Sequence, residues 1–395
     1  MFNVINILTI TQRTNNRSKV LRMDFLQSYN WESTWDQLTD NGSITIPKNL
    51  KVRDDKNPLE GSNVNVGGFS SGTPLFMRGD RVQLEVGYNY FKPDLNRRVN
   101  DTAVIVKGYI SKVHSGIPVT FDVEDNMWLL KQTPLTNRTF ADSDTLETIL
   151  QWVIDAVNNA HKTALTFRAL TDTGFGELDV QNETAAQLLN RLQRDYGFRF
   201  YFRGDELRGG IVIYFPDDVK EHIFIMNGHR GNVLADGQDL EFQRKDDIVL
   251  SAIAHNTITE KTGSQTKDGQ DKTKKTRLEV LVTIRNNQVE TKVIAKGERA
   301  PENTEGERRT LFFPNATTTK ELAELAEAEL RRYYYDGLKG SFVVFGIPHV
   351  KHGDNVRIVN PKQPEQEGLY RVRKVTSTGG DGLRQTIELH FKINA

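Results

Sequence analysis

The chain is punctuated by short runs in which apolar and polar residues alternate. The clearest set fills residues 340–394: GSFVVFGIP, GDNVRIV, GLYRVRKVT and RQTIELHFKI. A period of two marks a half-buried strand, because successive side chains point to opposite faces. Gly353, Gly368, Gly379, Gly380 and Gly382 stand between the runs, where tight turns require positive φ. A looser copy lies nearer the N-terminus: GSITIP at 42–47, GDRVQLEVG at 79–87, VKGYISKV at 106–113 and VTFDVED at 119–125. In both copies Gly-Ser opens a strand that closes on Pro, and Gly-Asp-x-Val opens the next. A run with Gly, Tyr and Lys-Val follows, and T-(F/I)-x-(V/L) ends the set. The order is the same and the loop lengths differ, which predicts one small β-barrel or sandwich present twice.

Around these copies the pattern predicts three domains. Residues 1–132 form the first β-domain, with short strands at 4–11 and 20–25 around a polar turn at 13–18. Trp31 and Trp35 are four apart, which suits either a helical turn or a loop anchored by two indoles. Residues 51–74 are a long insertion of Gly, Asn, Ser and charge, and loops of that length are functional or disordered. Gly79-Asp80 follows an Arg, yet it recurs as Gly353-Asp354 without one; this is turn chemistry and not an adhesion motif.

Residues 133–235 change to an α+β pattern. Leu146, Ile149, Leu150, Val153 and Val157 make one helical stripe, capped by Ser143 or Asp144. Thr184 with Gln187 forms a capping box for a second helix, striped by Ala185, Leu188, Leu189, Leu192 and Tyr196 and stopped by Gly197. Strands follow at 198–202 and 210–215. Residues 236–395 form the second β-domain, with strands at 248–259, 277–285 and 288–296. Residues 260–275 contain no apolar side chain and form a solvated hairpin tip or loop. A helix over 318–336 carries Leu322, Leu325, Ala326, Leu330 and Tyr333 on one face, and Tyr333, Tyr334, Tyr335 and Leu338 lock it onto the strands.

Composition narrows the function. Lys plus Arg equals Asp plus Glu at 52 each, without the basic excess that grips nucleic acid. There is no Cys, which removes thiol chemistry and disulfides and fits folding in a reducing compartment. The N-terminus lacks the basic start and apolar run of a signal peptide, and no apolar run is long enough to span a membrane. His349 and His352 lie in a strand-to-turn segment and not on a helix face, so a polar turn is preferred to a metal site. Asp54-Asp55, Asp217-Asp218 and Asp246-Asp247 are sequence neighbours. On a strand such neighbours point apart and cannot share one glycosidic bond. No cofactor motif is present, and the expected reading is non-enzymatic.

Several blocks together resemble the baseplate hub proteins of phage tails, the late control protein D group and the hubs of related contractile injection machines. WDQLTDNGSITIPKN resembles the first barrel strands of that family. GDRVQLEVGYNY, VIVKGYISKV and VTFDVEDNMWLLK resemble its next run, and ETAAQLLNRLQRDYGFRFYFRGDEL its middle helix and hairpin. GSFVVFGIPHVKHGDNVRI, GLYRVRKVT and GLRQTIELHFKI resemble its last barrel.

The resemblance implies a mainly β fold with two tail-tube-like β-barrel domains flanking a small α+β domain, in a homotrimer. Three chains with two modules each give a pseudo-sixfold ring that adapts a hexameric tail tube to a trimeric spike or tip protein. With roughly 24 strands around the lumen its backbone diameter is roughly 45–50 Å, wide enough for duplex DNA. The implied location is the virion baseplate, assembled in the host cytoplasm beside other baseplate proteins. Arg53, Asp54, Lys92, Arg97, Arg98, Lys267 and Lys274 are the candidate partner contacts, on three charged loops. The alternatives are a tail-tip cell-wall hydrolase, which a muralytic assay separates, and a carbohydrate-binding adhesin, which a glycan array separates.

Overall fold

Alternation becomes strand along most of the chain, and the two like sets of strands meet in one sheet. The computed structural model describes residues 3–13, 18–47, 53–54, 75–116, 118–141, 143–169, 178–210, 219–227, 231–234, 239–265, 271–295, 297–298, 301, 306–313, 316–380 and 382–393, with backbone alone at 53–54, 259–265 and 271–275.

The first module comprises β1 (Asn3–Thr11), β2 (Val20–Met23), β3 (Ser28–Thr34), β4 (Asn41–Ile46), β5 (Arg53–Asp54), β6 (Arg81–Lys92), β7 (Arg97–Val113) and β8 (Val119–Glu124). Helix α1 (Met127–Lys131) leads into a mixed segment of β9 (Arg138–Phe140), α2 (Leu146–His161), β10 (Thr166–Ala169), β11 (Leu178–Val180), α3 (Ala185–Tyr196), β12 (Arg199–Arg203) and β13 (Glu206–Gly210). The rest of the chain holds β14 (Glu221–Ile225), β15 (Asp239–Gln243), β16 (Val249–Gln265), β17 (Asp271–Arg285), β18 (Gln288–Val293), β19 (Glu307–Phe312), α4 (Thr319–Arg331), β20 (Gly337–Phe345), β21 (Asn355–Val359), β22 (Gly368–Gly379) and β23 (Arg384–Ile393).

Among the described residues fourteen strands make one sheet, ordered β15-β20-β23-β22-β3-β4-β8-β7-β6-β1-β2-β5, with β21 placed between β22 and β14. Within it, β4-β8-β7-β6 and β20-β23-β22-β21 are the same antiparallel arrangement made twice. The chain is mostly β, as expected. Its sheets are open, and no strand pairing among the described residues closes either set into a barrel.

The two modules and the middle segment each have a core that follows from the patterns. Leu8, Ile10, Val82, Leu84, Ile110 and Phe121 centre the first module. Phe224, Phe342, Val356, Tyr370, Val372 and Ile387 centre the second. The middle core is built on the α2 stripe, the α3 leucines, and Phe198 and Phe200. The capping box forms as its spacing requires: Gln187 N–H donates to Thr184 Oγ1 and Thr184 N–H to Gln187 Oε1. Gly197 closes α3 at φ +70°.

Several expectations are corrected. Trp31 sits in strand β3 and belongs to neither a helical turn nor a loop. Thr145, not Ser143 or Asp144, occupies the N-cap position of α2, without a side-chain capping bond; the Asp144 carboxylate instead accepts the Ala141 N–H at 2.7 Å. Strands β16–β19 do not join the repeated set. They form their own four-stranded sheet, ordered β18-β17-β16-β19, with α4 packed on it. On α4, Leu322, Ala326 and Leu330 are buried, but Leu325 faces solvent.

Candidate assembly surface

The two copies share devices as well as strand order. Gly79 and Gly353 both have positive φ, +90° and +86°. Gly79 N–H donates to Ile110 O and Ile110 N–H to Asp80 O, at 2.8 and 2.9 Å. Gly353 N–H donates to Val372 O and Val372 N–H to Asp354 O, at the same two distances. The Asp80 carboxylate accepts the N–H groups of Met77 and Arg13, and that of Asp354 accepts those of Lys351 and Lys220. An Asp with its carboxylate saturated by main-chain donors staples the turn to the flanking strand. Asp354 also bonds His222 Nε2 at 3.1 Å.

The registers coincide too. Ile110 faces Val123 and Lys112 faces Asp122, with one residue looped out between them. Val372 faces Leu389 and Lys374 faces Glu388 across the same irregularity. A β-bulge of this kind bends the strand and increases its twist. Gly42 and Gly340 let a neighbouring strand approach closely. A Cβ on either would stand 2.0 Å from a backbone oxygen, that of Asn30 or of Asp239. This places β15 in the second module where β3 stands in the first.

The modules are joined by a strand pair. Beyond its bulge, β22 runs antiparallel to β3: Lys374 opposes Thr34, Val375 opposes Ser33, Thr376 opposes Glu32 and Ser377 opposes Trp31. Ion pairs flank the seam, with Arg373 on Asp36 at 2.5 Å and on Glu388 at 3.1 Å, and Lys374 on Glu32 at 3.4 Å. Backbone ladder supplies the adhesion here, while the partly exposed ion pairs select register.

Beneath the seam the two modules and the middle segment line a partly open pocket of about 340 Å³, bordered among others by Trp31, Asp40, Asp125, Arg203, His349 and Lys351. Asp40 accepts from Ser33 Oγ at 2.6 Å and from Thr34 N–H at 3.0 Å. Burial nevertheless raises its pKa to about 6. Burial and the neighbouring Asp40 push Asp125 well up. Burial and Lys351 bring His349 down to about 4, and burial and Arg203 depress His352 strongly. The half-buried Arg203 guanidinium donates to the His352 carbonyl. These charges fasten the middle segment to both modules. Among the described residues no cluster of His, Asp and Glu could hold a metal, and no helix is long and apolar enough to cross a membrane.

The candidate contact residues fall on separate elements. Lys92, Arg97 and Arg98 come together at the exposed tip of the β6–β7 hairpin, where Lys92 pairs with Arg97 and Arg98 donates to Asn89. Arg53 and Asp54 pair with the edge of β2 through their backbone. Lys274 lies opposite Glu260 on the long β16–β17 hairpin; Lys267 and residues 55–74 lie outside the described residues. The β22–β3 seam and the Asp40–Asp125 cluster were not legible beforehand, because their partners are far apart in sequence.

No protein-family model and no curated protein matches the sequence. The fold does match solved structures. The tail protein of Neisseria meningitidis MC58 aligns with a TM-score of 0.56 at 12% identity, over 98% of this chain and 96% of that one. The 43 kDa tail protein of prophage MuSo2 from Shewanella oneidensis aligns with a TM-score of 0.52 at 12% identity, over 98% of both. The likeness is one of fold over nearly the full length, and the chain shares the fold of these two tail proteins.

Proposed function

We propose that this protein is a structural hub of a phage tail baseplate or related injection machine. In this reading it is a homotrimer, and its six like modules form a pseudo-sixfold ring. One face of the ring meets the tail tube protein, the other a spike or tip protein, and other baseplate proteins pack outside. DNA passes through the lumen, where a chain of zero net charge would not hold phosphates. The chain is assembled in the host cytoplasm, resides in the virion tail and carries no enzymatic site. The domains are the two modules and the α+β segment between them, and the charged loops at Arg53, Lys92 and Lys267 are contacts for partners.

The observation that carries this reading is the module made twice, down to its Gly-Asp staple and its bulge. Two quasi-equivalent units per chain are what threefold symmetry needs to imitate sixfold. Fold similarity to two tail proteins supports the location. Light scattering tests it: the expected species is a trimer, alone or once mixed with the spike protein. A monomer under both conditions would overturn the reading.

A further inference from the structure

The seam inside the chain has an unfilled counterpart. Inside, the free edge of β22 beyond its bulge is taken by β3. The matching stretch of β7, Lys112 and Val113 running on into His114 and Ser115, has β8 on one side and no strand on the other among the described residues. The matching partner, β15, ends the sheet, and among the described residues no strand pairs with its outer edge. Exposure follows this difference. Val375 is 2% exposed within the seam, whereas its equivalent Val113 is 38% exposed. Phe242, at the position of Ser33, is 37% exposed.

We infer that the outer edge of β15 in one copy of this chain pairs antiparallel with the free edge of β7 in the next copy, reproducing the internal seam between molecules. The shared registers fix the alignment. Lys112 opposes Gln243, Val113 opposes Phe242, His114 opposes Glu241 and Ser115 opposes Leu240. The pairing covers the exposed valine with the exposed phenylalanine, an apolar cross-strand pair. It also sets Lys112 beside Glu241, the charges that correspond to Lys374 and Glu32 across the internal seam. Neither Lys112 nor Glu241 has an ion-pair partner among the described residues. Among the described residues both edges are unpaired backbone, which proteins cover or pair. Each copy offers one donor edge and one acceptor edge, a head-to-tail contact that closes into a ring if the rotation permits. The pairing deepens the trimeric reading above and rests on it.

The absence of Cys gives a clean background for the test. Directly opposed residues of antiparallel strands lie within disulfide reach. Full-length protein carrying Val113→Cys and Phe242→Cys, oxidised and run without reductant, is expected to give linked dimers and trimers ending at a closed trimer. The offset pair Lys112→Cys with Phe242→Cys points to opposite faces and is expected to give none. Lys112→Glu is expected to weaken association roughly tenfold, and Lys112→Glu with Glu241→Lys to restore it. A trimer by light scattering that neither links at 113 and 242 nor responds to the charge swap overturns the inference and leaves the hub reading standing. Linked ladders longer than three keep the strand pairing and overturn threefold closure. A monomer without links at any concentration, with or without spike protein, overturns both.

Discussion

Val375 and Val113 hold the same place in the two copies, one residue past the same bulge, yet only Val375 is buried. The difference is the strand laid against it, since β3 covers Val375 and nothing described covers Val113. Val375→Asp would bury a carboxylate without a partner and should destabilise the isolated chain by about 3 kcal/mol or more. Val113→Asp should cost the isolated chain less than about 0.5 kcal/mol and act on association instead. Urea melts of dilute protein check the first statement, and concentration-dependent light scattering the second.

Gly42 and Gly340 make a second matched pair. At each, a Cβ would meet a backbone oxygen at 2.0 Å, too close for any relaxation but strand separation. Strand β3 is held on both sides, by β4 and β22, whereas β15 is held on one side, by β20. Gly42→Ala should therefore cost the whole fold roughly 1–3 kcal/mol or more. Gly340→Ala should release β15 and, because Gly340 has φ +109°, also strain β20 at that point. Hydrogen exchange should show lost protection centred on residues 239–243 and the start of β20 in the second variant and spread through the first module in the first.

The repeat was legible because its devices are local. Gly-Asp staples, Gly-Ser openings and the T-x-(D/E) strand each sit within a few residues, so the two copies align by eye. What joins them is not local. Strand β3, SYNWEST, reads as polar, and its inward face of Tyr29, Trp31 and Ser33 has meaning only beside Ser377 and Val375, over 340 residues away. Strand β15, DLEFQ, is equally plain until Gly340 is seen to receive it. The Asp40–Asp125 cluster arises because Asp125 N–H donates to Asp40 O between distant turns. Leu325 fits the α4 stripe by spacing, yet it is exposed and stands outside the core that Leu322, Ala326 and Leu330 share. Local chemistry named the modules, and long-range pairing decided how they meet.

The β16–β17 hairpin pairs residue by residue from Val249↔Arg285 to Lys261↔Thr273. The side chains it contributes to the core under α4 are Leu250, Ala252, Ala254, Val280, Val282 and Ile284, at the end of the hairpin away from residues 262–272. Replacing residues 262–272 with Asn-Gly, a two-residue hairpin turn, should leave the thermal midpoint within about 2 °C, since surface changes away from the core alter stability by less than about 0.5 kcal/mol. A cooperative melt lost on this replacement would show that the outer hairpin belongs to the folding unit.

Buried histidines and carboxylates predict opposite responses to pH. His349, His352 and His390 are held neutral by burial, with folded pKa values below the ordinary 6.5: about 4 for His349 and about 3 for His390. Below pH 6.5 the unfolded chain binds protons that the folded chain does not, so each histidine lowers stability as pH falls toward its folded value. The limit is roughly 1.4 kcal/mol per pH unit for each group. Asp40 acts the other way, because its folded value of about 6 lies above the ordinary 3.8. The folded chain binds the extra proton, and Asp40 adds stability as pH falls from about 6 to about 4. Asp125 has the same sign. Three histidines against two carboxylates should leave the protein less stable at pH 5 than at pH 7. Neither ring nitrogen of His352 has a hydrogen-bond partner among the described residues, and the ring stands edge-on to Tyr201 at 4.9 Å. His352→Phe should therefore raise the melting temperature at pH 5 by several degrees more than at pH 8. Asp125→Asn, which keeps an oxygen for the Met127 N–H, should do the reverse. Melts of the two variants at both pH values check the pair of signs, and a shared sign would place the titrating groups elsewhere.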